Sequence, residues 1–243
     1  MPKNLGGSGG FYEGIKISRN YEDSEWCWIM DDDTIPFSDA LENLVKSAGI
    51  LGDGISFVKS TQYDADNNLL PVGGLDTRGN GHAPWNERLS EGFLKVRTAT
   101  FVSLLVNSKA IEKCGLPCKD YFIWADDSEY CLRLTEYYGP GYFDGHSKVC
   151  HKRPTKTFSV LTEADSPRLN NYYYLYRNTV TNIIIYESRK SLIKYIIRTI
   201  ITAIKAFAHP PRFKRFRIIM SGTFSGLFTW RKYYRFIQSQ VKA

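Results

Sequence analysis

The stretch that decides the fold is Trp26-Cys27-Trp28-Ile29-Met30-Asp31-Asp32-Asp33, five apolar residues followed directly by three aspartates. An apolar run of this length predicts a buried strand, with the aspartates at its carboxyl end. Open α/β sheets bind their ligands outside the carboxyl ends of their strands. The stretch therefore predicts an α/β fold with a ligand site at residues 31–33.

The three aspartates predict a metal site. Neighbouring carboxylates repel one another unless a cation neutralises them. Mg²⁺ and Mn²⁺ prefer oxygen ligands, and Mg²⁺ commonly takes one or two protein carboxylates together with phosphate oxygens and water. On an extended backbone Asp31 and Asp33 would point the same way, so we predict that this pair binds the ion. The residues alone leave one alternative open, a solvated acidic turn in front of the next helix.

Secondary-structure signals continue on both sides of this stretch. Glycines 6, 7, 9 and 10 predict a loop before a helix over 11–20, and such a loop can hold phosphate through its backbone N–H groups. Strands are predicted over 54–59, 93–106 and 142–150, and a polar loop over 73–86. Further helices are predicted over 38–48, 170–187 and 191–208.

A second acidic cluster, Trp124-Ala125-Asp126-Asp127-Ser128-Glu129, follows the apolar run over 121–123. Asp126 is predicted as the N-cap of a helix, with Glu129 as its capping-box partner. That interpretation leaves Asp127 without a structural role, and a carboxylate there could act as a general base. His151 is a candidate ligand, although a lone histidine is more often an ordinary surface or core residue.

Composition limits the class of protein. With 43% hydrophobic and 14% aromatic residues, the 243-residue chain can bury a core, and a mean hydropathy of −0.32 argues against several membrane spans. The net charge is +7, and its excess of Lys and Arg lies beyond His151. Such a tail suits anionic lipid, nucleic acid or solvent, but no common RNA-binding motif occurs, so no nucleic-acid partner is predicted.

The five cysteines are odd in number, and no secretory signal opens the chain, so a reducing, cytoplasmic compartment is predicted. A zinc site from Cys114, Cys118, Cys150 and His151 would match no common spacing of structural zinc ligands.

The tail itself predicts contact with a membrane surface. Lys194, Arg198 and Lys205 fall within a narrow arc of the helix predicted there, and isoleucines cover much of the rest. No clean apolar window is long enough to span a bilayer, which favours a helix lying flat on the inner face of the cell membrane. The alternative is an amphipathic helix that packs only on the preceding part of the chain.

Taken in order, Asn4-x-Gly-Gly-Ser-Gly-Gly10, Trp28-x-Met-Asp-Asp-Asp33, Trp124-x-Asp-Asp-x-Glu129 and a later histidine resemble glycosyltransferase family 2. The resemblance is to the branch that holds galactofuranosyl- and rhamnosyltransferases. It covers about residues 4 to 178, because the aromatic run over 171–176 that precedes Arg177-Asn178 is similar to a segment that follows the catalytic domain in this branch.

This resemblance implies a GT-A fold, a Rossmann-like mixed sheet flanked by helices, over residues 1–165. Residues 166–243 would form a helical, basic, membrane-associated region. The implied activity is inverting transfer of galactofuranose or rhamnose from a nucleotide-diphosphate sugar, assisted by Mg²⁺ or Mn²⁺. The acceptor would be a lipid-linked or cell-envelope glycan, as in capsule or cell-wall polysaccharide synthesis.

The same resemblance implies an alternative. In the family, strands that bind the nucleotide precede the glycine loop, which here starts at residue 4. The alternative is therefore an N-terminally incomplete, inactive relative that binds a glycan or a membrane.

Roles for individual residues follow from the resemblance. Asp31 and Asp33 match the metal-binding DXD positions, and His151 matches the histidine that completes that site. Asp127 matches the catalytic base, with Asp126 able to share the role. The remaining candidates are Asp32, Asn4, Gly9 and Gly10 for the donor, and Trp124 and Trp85 for the acceptor sugar.

Overall fold

The computed structural model describes residues 4–21, 23–78, 84–152 and 158–242. The chain divides into two compact units. We call residues 11–117, 127–154 and 240–243 the sheet unit, and residues 1–10, 118–126 and 155–239 the helical unit.

All the named strands belong to the sheet unit. They are β1 (Trp26–Met30), β2 (Thr34–Pro36), β3 (Phe57–Tyr63), β4 (Phe93–Val96), β5 (Ser103–Asn107) and β6 (Gly141–His151). The same unit contains α2 (Ala40–Leu51) and α3 (Ser108–Cys114), and most of α1 (Gly6–Ser18) and α4 (Asp126–Tyr137).

The strands form one mixed sheet in the order β1-β5-β3-β6-β2, with β4 also paired to β6. Only the β3–β6 pair is parallel among the described strands. The register of that pair breaks between Ser60 and Thr61, so residues 145–147 of β6 have no partner on β3. Before this bulge β6 pairs with β4, and after it β6 pairs with β2. The long strand β6 thus carries its last residue, His151, to the start of β2.

Side chains that alternate along the strands fill both faces of the sheet. Val58 and Leu105 pack with Leu44 and Ala48 of α2 on one face. On the other face Phe57, Leu104 and Val106 pack against α1, α3 and α4, in a cluster that includes Ile15, Ile111, Tyr130, Cys131 and Leu134. This arrangement of helices on both faces of a mixed sheet is the one predicted from the sequence.

The helical unit is built on α5 (Pro167–Tyr186), α6 (Arg189–Lys205) and α7 (Arg212–Gln240). The last residue of α7, Gln240, belongs to the sheet unit. Its core joins Leu169 and Tyr172 of α5 to Ala203 of α6 and Ile219 of α7. Glycines let α7 approach α5 closely, since a Cβ at Gly226 would lie 2.5 Å from the carbonyl oxygen of Arg177. The predicted helical character of the tail is confirmed, while the predicted boundary at residue 165 remains a prediction.

Two predicted elements are wrong in detail. The glycines form no loop in front of a helix, because α1 already begins at Gly6, where the Asn4 side chain accepts a hydrogen bond from the Gly6 N–H at 2.8 Å. The strand predicted over 93–106 is two strands, β4 and β5, interrupted at residues 97–102. Part of the polar loop predicted over 73–86 lies outside the described residues.

Among the described residues, no helix combines the length and the apolar character needed to cross a bilayer.

Candidate functional site

The residues predicted to bind a metal come together in the sheet unit. Ligand atoms of Asp31, Asp33 and His151 all lie within 4.8 Å of one another. The antiparallel pairing of β2 with β6 causes this, because it sets Thr34 opposite His151, and the Lys152 N–H donates to the Asp33 carbonyl at 2.9 Å. Residues distant in the sequence are therefore adjacent at one end of this ladder.

The backbone at the aspartates differs from the extended form expected. The Thr34 N–H donates to the Asp31 carbonyl at 3.2 Å, which closes a turn over residues 31–34. The turn joins β1, which ends at Met30, to β2, which begins at Thr34. Asp31 and Asp33 face the same site because of this turn, and Asp32 at its tip is exposed.

The three residues fit a divalent cation. Two opposite ligands of an ion with bonds of about 2.1 Å are about 4.2 Å apart, so spacings within 4.8 Å need only small movements. Oδ1 of Asp33 lies 3.1 Å from Nε2 of His151 but lacks the geometry of a hydrogen bond, and this buried oxygen has no hydrogen bond to the described residues. A cation here would satisfy an otherwise costly buried oxygen. The geometry is compatible with a metal site, which remains a prediction.

Asp127 lies in the first turn of α4, where its Oδ1 accepts a hydrogen bond from the Ser128 N–H at 2.6 Å. It is half-buried, whereas the neighbouring Asp126 is buried. Asp126 is the first residue of α4 rather than the N-cap in front of it, and Glu129 forms a buried ion pair with Arg133, at 2.8 Å. The predicted capping box therefore does not describe the main role of Glu129, which is to hold the helix in the core.

Lys59 on β3 is a buried group that the sequence analysis missed. It is 1% exposed, and its Nζ donates to the Val72 carbonyl at 2.8 Å. Burial lowers its pKa from 10.5 to about 8, although electrostatic interactions with Cys131 and Asp127 act in the opposite direction. The ammonium therefore contributes positive charge on the Asp127 side of the sheet unit. A lysine directly after the apolar pair Phe57-Val58 was the available sequence signal.

In the helical unit the backbone leading to Asp126 is strained. Phe122, Trp124 and Ala125 have φ values of 68°, 63° and 61°, the left-handed region that non-glycine residues rarely adopt. Each such residue costs of order 1–3 kcal/mol, and such conformations concentrate at functional sites. The segment 122–125 must therefore be held by other parts of the unit.

Two buried asparagines of α5 hold this segment. The Asn178 amide donates to the carbonyls of Tyr121, Ile123 and Trp124 at 2.8–3.3 Å. The Asn182 amide donates to the Ala125 carbonyl at 2.9 Å. Nη2 of Arg177 adds bonds to the carbonyls of Asp120 and Tyr121, at 2.9 and 3.0 Å. The Arg177-Asn178 pair, which the sequence analysis noted only as part of the resemblance, thus fixes the chain that enters α4.

The other predicted site residues have simpler surroundings. Asn4 and Gly10 are exposed, and a Cβ at Gly9 would collide with the Leu5 side chain, so Gly9 has a packing role. Trp124 contacts Tyr172 and Phe158 edge-on, at ring-centre distances of 4.9 and 4.7 Å. Trp85 is half-buried in a short 3₁₀ helix over 84–86. The roles of these residues and of Asp32 in sugar binding remain predictions.

Comparison with known proteins bears on the fold. No family model matches the sequence, and no curated protein matches it. The structure does match a solved one, that of GalNAc-T7 with UDP, GalNAc and Mn²⁺. The sequence identity is 13%, and the TM-score is 0.50 over 93% of this chain. The fold is similar to that of a GT-A glycosyltransferase. The chain spans 43% of the length of the GalNAc-T7 chain, and identity this low supports the fold alone.

The predicted GT-A type of fold is therefore confirmed at this level. The assignment to family 2 and to its galactofuranosyl and rhamnosyl branch remains a prediction. The Asp31, Asp33 and His151 cluster lies in a fold similar to that of a protein solved with Mn²⁺.

Proposed function

We propose that this chain carries the catalytic part of a metal-dependent glycosyltransferase that uses a nucleoside diphosphate sugar as donor. The observation that carries the proposal is the cluster of Asp31, Asp33 and His151, which brings two carboxylates and an imidazole together within 4.8 Å. It occurs in a fold similar to that of GalNAc-T7 with UDP and Mn²⁺. Two carboxylates leave the remaining positions of a Mg²⁺ or Mn²⁺ ion open to phosphate oxygens.

In the proposed reaction Asp127 acts as the general base. Its carboxylate takes the proton of the acceptor hydroxyl while the acceptor oxygen forms a bond to the anomeric carbon. The bond between that carbon and the diphosphate oxygen breaks, and its electron pair leaves on the nucleoside diphosphate. A single displacement of this kind inverts the anomeric centre. A bound divalent cation would supply charge neutralisation for the departing diphosphate.

Asp127 has the accessibility that this role needs, because it is half-buried, whereas the adjacent Asp126 is buried. Asp127 interacts electrostatically with the buried Lys59, whose pKa it raises.

The finer parts of the proposal rest on the amino-acid sequence, through the family resemblance, the cysteines and the basic tail. These are galactofuranose or rhamnose as the transferred sugar, a lipid-linked or cell-envelope glycan as the acceptor, and a cytoplasmic enzyme at the inner face of the cell membrane. The competing proposal, an inactive relative that binds a glycan, shares the fold but would not turn over a donor.

Metal binding is the first test. Mn²⁺ binding is followed by electron paramagnetic resonance with UDP in excess, for the unaltered chain and for Asp33→Asn. We expect saturable binding that weakens at least roughly tenfold in the variant. Asp53→Asn is the matched control, because Asp53 is an exposed aspartate of the same unit outside the cluster. Equal affinity in Asp33→Asn and the unaltered chain would refute the proposed site.

Turnover is the second test. Release of nucleoside diphosphate is measured with a panel of donor sugars and glycan acceptors, for the unaltered chain and for Asp127→Asn. We expect the variant to retain Mn²⁺ affinity and to lose activity by roughly 10²-fold or more. Metal binding without release from any donor would favour the inactive relative.

A further inference from the structure

Helix α6 carries an apolar face that the helical unit does not bury. The exposed fractions of six large apolar residues are high: Ile193 59%, Ile197 52%, Ile200 45%, Ile201 47%, Ile204 64%, and Phe207, just beyond the helix, 44%. At 100° per residue these positions span an arc of about 120°. We call these six residues the α6 face.

The opposite side of α6 is anchored in the unit. Thr199, Ala203 and Ala206 are buried, and the two alanines join the core cluster that contains Tyr172 and Ile219. The helix therefore has a side that packs in the unit, and the exposed isoleucines lie on a different side. The alternative raised by the sequence, a helix whose apolar side serves only internal packing, accounts for the small residues and leaves the large ones unexplained.

Positive charge borders the α6 face. Lys194, Arg198 and Lys205 are exposed and fall within about 40° of the helix circumference, directly beside the face. The helix has five Lys and Arg residues in all, and no Asp or Glu. A broad apolar arc with cations along its border is the pattern of helices that lie in the interface of a bilayer.

The apolar surface continues past the end of α6. The ring of Phe207 contacts those of Phe213 and Phe216, with centre distances of 5.9 and 5.1 Å. Phe213, near the start of α7, is itself 73% exposed. Phenylalanine is among the residues that interfacial helices insert at the boundary between headgroups and acyl chains.

Charge decides between the possible occupants of this surface. A second copy of the chain would bring two sets of like charges together, which is unfavourable. A neutral protein groove would match the isoleucines and leave the cations without partners. An anionic bilayer supplies both hydrocarbon for the isoleucines and negative headgroups for Lys194, Arg198 and Lys205.

We propose that the α6 face and Phe213 bind the surface of an anionic membrane, with α6 parallel to the bilayer plane. None of the described helices is long and apolar enough to cross it, which fits a surface position. The proposal does not depend on the proposed enzymatic function, since it uses no residue of the metal cluster.

The test is co-sedimentation of the full chain with vesicles, either of phosphatidylcholine alone or of phosphatidylcholine and phosphatidylglycerol in equal parts. We expect binding to the anionic vesicles that high salt weakens. The double variant Ile197→Glu/Ile204→Glu should bind at least roughly tenfold more weakly. The triple variant Lys194→Gln/Arg198→Gln/Lys205→Gln should lose roughly 100-fold on anionic vesicles.

The matched control is Leu41→Glu/Val45→Glu, which adds the same charge at two exposed apolar positions on α2. It should bind the anionic vesicles like the unaltered chain. Circular dichroism checks that each variant is folded, and light scattering gives the mass in solution. Equal vesicle binding by the α6 and α2 double variants would overturn the proposal, and so would a dimer that only the α6 variant abolishes.

Discussion

At the scale of single residues, Asn178 illustrates how one side chain can hold a strained backbone. Its amide is fully buried and donates to three carbonyls of the segment that leads into α4. We expect Asn178→Ala to lower the free energy of unfolding by roughly 2–4 kcal/mol, because the hydrogen bonds of both amide N–H groups are lost and a strained conformation loses its support. Urea denaturation measures this change.

Asn170→Ala is the control for Asn178→Ala, because Asn170 is an exposed residue of the same helix. Its replacement by a better helix former should change stability by no more than about 0.5 kcal/mol. If both variants lose the same stability, the hydrogen bonds of Asn178 do not hold the segment.

Lys59 gives a prediction on pH dependence. Its folded pKa of about 8 lies below the ordinary value of 10.5, so between these pH values the unfolded state keeps a proton that the folded state has lost. The free energy of unfolding should therefore gain a rising contribution of up to about 1.4 kcal/mol per pH unit in this window. Below about pH 8 both states hold the proton, and the burial cost is present in full.

The measurement is urea denaturation of the unaltered chain and of Lys59→Met at several pH values between 8 and 10.5. Burial also raises the pKa of several cysteines and tyrosines, such as Cys114, which lowers stability at high pH in both proteins. Only the difference between the two curves isolates Lys59. A difference that does not change with pH would contradict the lowered pKa.

At the scale of elements, α7 can pack on α5 only because of two glycines. A Cβ at Gly226 would lie 2.5 Å from the carbonyl oxygen of Arg177, and one at Gly222 would lie 2.5 Å from that of Tyr173. We expect Gly226→Ala to destabilise the chain by roughly 1–3 kcal/mol, because the helices must separate to admit the methyl group. Thermal denaturation followed by circular dichroism measures the effect.

Gly14→Ala provides the opposite expectation for the same substitution. Gly14 also lies inside a helix, α1, but a Cβ there would meet nothing within 4 Å. This variant should gain up to about 1 kcal/mol from helix propensity. Loss of stability in both variants would indicate that the α5–α7 contact is not specifically tight.

The elements also show where sequence reasoning succeeds. The strand β1 was predicted with its correct ends, because an apolar run bounded by charged residues is a local signal. The start of α1 was missed, since glycines are poor helix formers. The contacts there include the Asn4 cap, the packing of Gly9 against Leu5 and a hydrogen bond from the Ser8 N–H to the Phe122 carbonyl. Tertiary contacts outweigh local preference at such positions.

The same limit applies to the candidate site. Asp31, Asp33 and His151 were predicted together from a family resemblance, and their proximity in the structure depends on the pairing of β2 with β6. No local pattern could reveal that pairing, since β2 has only three residues. The buried Lys59 and the asparagines that hold residues 122–125 are likewise defined by contacts distant in sequence.

At the scale of the whole molecule, the two units should respond differently to metal. All three candidate ligands belong to the sheet unit, and the ladder between β2 and the end of β6 brings them together. An ion that binds only the folded form stabilises it by about 2.7 kcal/mol at a concentration one hundred times its dissociation constant. That stabilisation should be largest in the ladder between β2 and the end of β6, because opening of this ladder separates the three candidate ligands.

Hydrogen exchange with and without Mn²⁺ and UDP measures this distribution. We expect slower exchange at the amides of residues 31–35 and 149–152, and little change in α6, which belongs to the helical unit. Asp33→Asn should remove the effect, whereas Asp53→Asn should keep it. If the slowing is absent, or is equal in α6 and in the β2–β6 ladder, the ion does not bind through Asp31, Asp33 and His151. Slower exchange that is confined to the β2–β6 ladder and is lost in Asp33→Asn would instead show that the ion binds at the site which this ladder assembles.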